Sequence, residues 1–151
     1  MELSVTSADA MKTLGAKIGV LVRGGEVIEL IGDIGAGKTT FTKGFAAALG
    51  ITEDIQSPTF TISRVYDAPE GIRLAHYDFY RLSEPGIMRA ELQEAVQDPA
   101  TVTIIEWADV VADVLSADTL RIAITATGEE LRNVELAAGG ERSQQLLDGL
   151  R

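Results

Sequence analysis

The stretch Gly32-Asp33-Ile34-Gly35-Ala36-Gly37-Lys38-Thr39 decides the fold of this 151-residue chain. It matches the pattern Gly-x-x-x-x-Gly-Lys-Ser/Thr at every required position. Glycines let such a loop curl until several backbone N–H groups point at one phosphate, because no Cβ stands in the way. Lys38 adds a mobile positive charge for the β- and γ-phosphates, and the Thr39 hydroxyl can bind Mg²⁺. The pattern therefore predicts a phosphate-binding loop.

The sequence on either side of this loop has the composition that the motif requires. Residues 26–31 read as a buried strand that ends where the loop begins. Apolar side chains then recur at helical spacing, at Phe41, Phe45, Ala48 and Leu49. The first turn of that helix would present unpaired N–H groups and the positive end of its dipole to the same anion. A glycine-rich turn that binds nothing is the alternative, and the order of strand, loop and helix disfavours it.

Two acidic residues that end apolar strands are candidates for the remaining chemistry. Residues 102–105 form a continuous apolar run, typical of a central parallel strand, and the run ends on Glu106. Asp78 ends a second predicted strand, over residues 72–78. A phosphate-loop enzyme needs such an acid to hold Mg²⁺, directly or through water, so Glu106 is interpreted as a metal ligand. A solvated strand end is the alternative for Glu106, and a helix or turn cap is the alternative for Asp78.

Further candidate residues flank these two acids. His76 is the only histidine; no partner for acid–base chemistry is identifiable, which favours a structural role. Arg81 could approach the phosphates or pair with an acid. Trp107 is the only tryptophan, expected in the core or beside the nucleotide. The segment Ser57-Pro58-Thr59 lies where a nucleotide switch holds a hydroxyl near the γ-phosphate, with a plain loop turn as the alternative.

The rest of the chain completes an α/β pattern. Thr6 or Ser7 can cap a first helix that ends near residues 23–25. Further helices are predicted over residues 87–96, 109–115 and 141–150. Antiparallel strand pairs are predicted for 61–66 with 72–78 and for 118–127 with 131–137. We expect one domain over residues 1–151, a three-layer α/β P-loop NTPase domain whose mixed, partly parallel sheet is flanked by helices.

The composition and the absence of certain motifs limit the ligands that the chain is expected to bind. The formal net charge of −10 disfavours direct, strong binding to RNA, so the nucleotide must be held by a focused local site. With no cysteine, thiolate metal ligation is excluded, and with no long apolar run we expect a cytoplasmic protein without membrane contact. No Asn/Thr-Lys-x-Asp segment is present, which disfavours guanine recognition. ATP with Mg²⁺ is the expected ligand pair.

Taken together, four segments resemble one known family. They are Gly-Asp-Ile-Gly-Ala-Gly-Lys-Thr-Thr at 32–40, Ser-Pro-Thr-Phe at 57–60, His-Tyr-Asp-Phe-Tyr-Arg-Leu at 76–82 and Ile-Glu-Trp at 105–107. Their order and spacing resemble the TsaE family across about residues 1–137. The resemblance implies a small, weakly active ATPase that works with the proteins TsaD and TsaB in forming threonylcarbamoyladenosine at position 37 of tRNA. Contact with tRNA would be indirect, through that assembly.

The resemblance also implies roles for individual residues. Thr39 and Glu106 would bind Mg²⁺, and Asp78 would organise the attacking water, so Asp78, Glu106 and Lys38 form the expected catalytic set. Trp107 would neighbour the nucleotide, and Ser7, by a looser match, would lie near the base. The phosphates would be held by Gly35, Ala36, Gly37, Lys38, Thr39 and Thr40.

Two other functions would also use a phosphate-binding loop. A P-loop kinase acting on a small molecule would carry a lid with several arginines, and the arginines of this chain are dispersed. A nucleotide-sensing module without catalysis would bind ATP but show no hydrolysis, even with partner proteins.

Overall fold

The computed structural model describes all residues from Met1 to Arg151. Its strands are β1 Glu2–Val5, β2 Val27–Ile31, β3 Ser63–Asp67, β4 Arg73–Asp78, β5 Thr101–Glu106, β6 Leu120–Ala126 and β7 Arg132–Ala138. Its helices are α1 Ala8–Gly19, α2 Lys38–Ala48, α3 Met88–Gln97 and α4 Glu141–Leu150, and a 3₁₀ turn covers Ala108–Val111. None of the helices combines the length and the apolar character needed to cross a bilayer.

The strands form one seven-stranded sheet in the order β1-β7-β6-β2-β5-β4-β3. The four central strands β6, β2, β5 and β4 are parallel to one another. Strand β7 runs antiparallel to both β6 and β1, and β3 runs antiparallel to β4. The predicted mixed, partly parallel sheet is therefore confirmed.

Helices cover both faces of the sheet. On one face, Ile28 and Ile104 of the sheet share a core with Phe41 of α2 and with side chains of α1 and α4. On the other face, Ile105 packs in a smaller core with Leu92 of α3 and with the 3₁₀ turn. Alternate residues of each central strand thus point into different cores, as a strand buried on both faces requires. The three-layer α/β architecture is confirmed.

Glycines let α1 and α2 pack with their backbones close together. A Cβ on Gly44 would overlap the carbonyl oxygen of Lys12, and one on Gly15 would overlap the carbonyl oxygen of Phe41. Larger side chains at these two positions would push the helices apart. Because α2 follows the phosphate loop directly, this contact fixes the direction from which the helix approaches the loop.

Most elements lie within one or two residues of their predicted bounds, but one strand was missed and two helix predictions were wrong. Strand β1 was not predicted, because a four-residue edge strand is defined by its pairing with β7 rather than by its own pattern. The first helix ends at Gly19, so residues 20–25 form the turn into β2. The helix expected over 109–115 is a single 3₁₀ turn at Ala108–Val111.

Candidate nucleotide site

The site lies at the carboxyl edge of the parallel strands. Asp78 and Glu106 end β4 and β5 and are directly paired in register. Leu30 of β2 is in turn paired with Glu106, so the loop that follows β2 begins beside both acids. This edge is where open α/β sheets bind their ligands. The parallel register thus brings the phosphate loop and both predicted acids together.

A cleft of about 460 Å³ opens at this edge. Eight of the residues predicted to act on the nucleotide or metal line it: Gly35, Gly37, Lys38, Thr39, Thr40, Asp78, Glu106 and Trp107. The cleft is completed by Ile34, Ser57, Thr59, Phe60, Tyr80 and Arg81. Ala36 and Ser7 lie outside this lining. The Ser7 hydroxyl instead caps α1, accepting a hydrogen bond from the Ala10 amide at 3.1 Å.

The loop conformation depends on its glycines. Gly35 and Gly37 have φ values of 83° and 119°, which side chains with a Cβ rarely adopt. Ala36 between them is buried, and its amide donates to the Asp33 carbonyl oxygen at 3.0 Å. The carbonyl oxygen of Ala36 accepts a hydrogen bond from Nε of Arg132 at 2.9 Å. The peptide groups of Ala36 are therefore bonded within the chain.

Lys38 lies at the floor of the cleft with 6 % of its surface exposed. Its Nζ donates to the Gly32 carbonyl oxygen at 2.6 Å and lies 3.7 Å from Oε1 of Glu106. The same ammonium lies 4.3 Å from the centroid of the Trp107 ring, a cation–π distance. These contacts hold the lysine ammonium inside the cleft, between Glu106 and the Trp107 ring.

Glu106 is buried and has a second partner in His76. Its Oε2 lies 2.7 Å from Nε2 of the imidazole, and the imidazole is fully buried. Nδ1 of His76 has no hydrogen-bond partner. A buried carboxylate needs such contacts because burial without them is costly. The partner of His76 that could not be identified from the sequence is therefore Glu106. The imidazole holds one oxygen of this carboxylate in place.

Asp78 makes the cap contact that was considered for it and a second contact with Thr59. Its Oδ1 accepts a hydrogen bond from the Tyr80 amide at 2.9 Å, which is a turn cap. Its Oδ2 accepts one from the Thr59 hydroxyl at 2.7 Å, and that hydroxyl is 2.8 Å from the Ser57 hydroxyl. The segment 57–59 is thus bonded to Asp78, and its place near a γ-phosphate stays a prediction.

Aromatic side chains border the cleft. Trp107 has a left-handed backbone with φ of 56°, an uncommon conformation for a residue with a side chain. Its ring lies 4.9 Å from that of Tyr80. The Arg81 guanidinium lies 4.2 Å from the ring centroid of the exposed Phe60. Arg81 has no carboxylate within 4.0 Å, so of the two roles considered for it, pairing with an acid is not the one observed.

The donor set fits magnesium delivered with a nucleotide. Thr39, Asp78 and Glu106 bring oxygen atoms to one cleft, and oxygen is the ligand atom that Mg²⁺ prefers. The chain contains no group of three or more carboxylate, imidazole or thiol side chains placed to hold a metal. Mg²⁺ commonly completes its shell with water and substrate phosphates. Thr39 and Glu106 are the residues that would hold it here.

Sequence reasoning gave no role to some residues of the site. Tyr80 was quoted only as part of a motif, although its amide donates a hydrogen bond to Asp78. Arg132 was not considered at all, because it lies 96 positions from Ala36 and belongs to no motif. The only available signal was its place at the start of a predicted strand that follows a hairpin turn.

Comparison with known proteins agrees with the motif pattern. The family model "Threonylcarbamoyl adenosine biosynthesis protein TsaE" matches residues 5–134. The tRNA threonylcarbamoyladenosine biosynthesis protein TsaE of Streptomyces coelicolor is 36% identical over 137 residues, covering 87% of this chain and 93% of the relative. The protein of the same name from Bacillus subtilis is 37% identical over 140 residues, covering 92% and 86%.

A solved structure agrees as well. The crystal structure of YdiB from Bacillus subtilis matches with a TM-score of 0.81 and 32% identity, over 99% of this chain and 93% of that chain. The sequence matches and the structural match thus cover most of the chain, including all four motif segments. The resemblance read from those motifs is confirmed, and the chain belongs to the TsaE family.

Proposed function

We propose that the chain is a Mg²⁺-dependent ATPase that serves threonylcarbamoyladenosine formation on tRNA. One observation carries this proposal: the loop lysine and the two strand-end acids line the same cleft. A phosphate loop alone would hold a nucleotide, and the acids add the means to hydrolyse it. The names of the relatives supply the pathway.

Binding would rest on the loop and on the first turn of α2. The helix begins at Lys38, so its unpaired amides and the positive end of its dipole face the cleft. Lys38 would bond the terminal phosphates. Mg²⁺, when bound with the nucleotide at Thr39 and Glu106, would neutralise phosphate charge.

Hydrolysis would rest on Asp78. Water attacks the γ-phosphorus, a P–O bond forms, and the bond to the β–γ bridging oxygen breaks, so that ADP leaves with the electron pair. Asp78 would orient the water and accept its proton. Thr59 and the Tyr80 amide hold the carboxylate in place for this task, at 2.7 and 2.9 Å.

The site also suits an ATPase that acts on partner proteins. The net charge of −10 disfavours direct binding to tRNA, so the nucleic acid would be held by the TsaD–TsaB assembly. ATP turnover would then be coupled to that assembly.

The test is an ATPase assay of the purified chain, alone and with TsaD and TsaB from the same source. We expect slow, Mg²⁺-dependent ADP release by the chain alone and a clear increase with both partners. The Asp78→Asn variant serves as the matched control and should not respond to the partners. Turnover that the partners leave unchanged over a wide concentration range would contradict the proposal. ATP binding without hydrolysis in every condition would indicate the sensing module.

A further inference from the structure

Arg132 connects the β6–β7 hairpin to the phosphate loop. It is the first residue of β7, and its Nε donates to the Ala36 carbonyl oxygen at 2.9 Å. Its Nη1 lies 3.1, 3.3 and 3.0 Å from the carbonyl oxygens of Gly128, Glu129 and Leu131. No carboxylate lies within 4.0 Å of this guanidinium. Arg132 therefore joins the loop and the hairpin entirely through backbone carbonyl groups.

This contact determines which way one peptide group of the loop points. The chain has no cis peptide, and in a trans peptide the C=O and the following N–H point in opposite directions. When Arg132 holds the Ala36 carbonyl on one side, the Gly37 amide must point to the other. Gly37 lines the cleft, and its amide donates no hydrogen bond within the chain. That free N–H is available to a phosphate.

The loop needs an external contact of this kind. Ala36 stands between Gly35 and Gly37, and both glycines have positive φ. Because glycine passes between conformations at little cost, the peptide between Ala36 and Gly37 can rotate unless something holds it. A guanidinium is suited to the task, since its planar donors reach carbonyls on two segments at once. Its charge, unpaired by any acid, also favours an anion nearby in an acidic protein.

We infer that Arg132 is a positioning residue for nucleotide binding: it fixes the Ala36–Gly37 peptide so that the Gly37 amide faces the phosphates. The inference rests on the proposed function, because it takes the ligand of the cleft to be a nucleotide. It adds a residue outside every motif of the sequence and gives the β6–β7 hairpin a part in binding. Arg132 acts through the loop and does not touch the reacting atoms.

The test compares Arg132→Gln with Arg121→Gln. Arg121 is an arginine of the neighbouring strand β6 that pairs with Glu29 at 3.2 Å and makes no contact with the loop. ATP affinity is measured by titration calorimetry, and KM and kcat by partner-stimulated hydrolysis. For Arg132→Gln we expect Kd and KM to rise about tenfold, with kcat at saturating ATP within about twofold of wild type. Arg121→Gln should keep wild-type values.

Several outcomes would overturn the inference. One is wild-type ATP affinity in Arg132→Gln, and another is an equal loss in both variants, which would indicate a general charge effect. If the wild-type chain itself fails to bind ATP, the proposed function fails, and that result is distinct from either of these. Melting temperatures are recorded for all variants. Should Arg132→Gln not fold, Arg132→Lys decides, because an ammonium keeps the charge but lacks the planar fork: a raised Kd supports the inference, and a wild-type Kd overturns it.

Discussion

At the scale of single residues, Glu106 shows how the chain keeps a buried acid ready for use. Its carboxylate meets the imidazole of His76 on one side and the ammonium of Lys38 on the other. Removal of either partner would leave a buried charge with less compensation, which costs more than the contact itself is worth. Lys38 thus compensates the charge of Glu106, in addition to the phosphate binding proposed for it.

Lys38→Ala should abolish ATP binding and also lower stability. Loss of the ammonium leaves the Gly32 carbonyl without a partner and Glu106 with His76 alone, at a cost of about 1–3 kcal/mol. We expect a folded chain whose melting temperature falls by roughly 3–10 °C, measured by circular dichroism. Lys43→Ala is the matched control, since Lys43 lies exposed on the same helix. Retained ATP affinity in calorimetry would contradict the role of Lys38.

Asp78→Asn should separate hydrolysis from binding. The amide keeps the shape of the side chain and can still accept from the Tyr80 amide, but it cannot take a proton from water. We expect kcat to fall about 10²- to 10⁴-fold, with little change in ATP affinity. Asp67→Asn, in an exposed residue at the end of β3, is the control. Equal losses in kcat and affinity would assign Asp78 to binding instead.

At the scale of elements, the packing of α1 on α2 determines where the first turn of α2 lies in the candidate nucleotide site. The carbonyl oxygens of Lys12 and Phe41 occupy the space that a side chain at Gly44 or Gly15 would need. The contact between α1 and residues 41–44 of α2 therefore also fixes the position of the first turn of α2. A shift of this contact would move the amides that face the cleft.

Gly44→Ala should destabilise the chain although alanine favours helices. The new methyl group meets the Lys12 backbone, which cannot rotate away as a side chain would. We expect a loss of about 1–3 kcal/mol in the free energy of unfolding, measured by urea denaturation. Gly149→Ala in α4 is the control: its Cβ meets only the end of the Leu21 side chain, so it should be neutral or stabilising. Similar losses in both variants would show that crowding at α1 is not the cause.

The start of α4 should give the stability of the chain an acid-sensitive component. Burial alone would raise the pKa of Asp118, but hydrogen bonds from the Ser143 hydroxyl and from the Ser143 and Arg142 amides outweigh it and hold the pKa below its usual value. A pKa lowered by folding means that the contribution is complete above the unfolded value of about 3.9 and is lost as pH falls through the folded value.

Asp118→Asn tests this pH dependence. The variant cannot titrate at this position, so its deficit in the free energy of unfolding relative to wild type should be largest near neutral pH and should shrink below about pH 4. Urea denaturation from pH 7 to pH 3 measures the deficit. A deficit that stays constant over this range would contradict the assignment.

At the scale of the whole molecule, the overall charge of the chain and the charge of Lys38 at the candidate nucleotide cleft have opposite signs. A net charge of −10 repels polyanions, while the loop amides, Lys38 and Arg132 gather positive charge at one edge of the sheet. Such a protein can bind a nucleotide without attracting nucleic acid.

The purified chain alone should therefore not retain tRNA. At physiological salt we expect no shift of labelled tRNA in a gel with micromolar chain, and a shift when TsaD and TsaB are added. Serum albumin, also acidic, is the control for non-specific effects. Direct binding by the chain alone, weakened by added salt, would contradict the argument from charge.

Most of the fold could be predicted from local sequence patterns. The features that could not be predicted depend on contacts between residues far apart in the sequence. The loop, β2 and α2 were predictable because motif, apolar run and helical spacing follow one another in the sequence. The pairing of His76 with Glu106 was not, because it depends on the register of β4 on β5, which places His76 opposite Ile104. Strand β1 and Arg132 were missed for the same reason: their partners lie far along the chain.

Trp107 lies where its fluorescence should report nucleotide binding. Its indole is the only one in the chain and lies 4.3 Å from the ammonium that the proposed nucleotide must engage. A charge so close to an indole shifts its excited state, so nucleotide entry should alter the emission of the unlabelled protein. Rapid mixing could then follow the arrival of ATP and the departure of ADP in real time, without any dye attached.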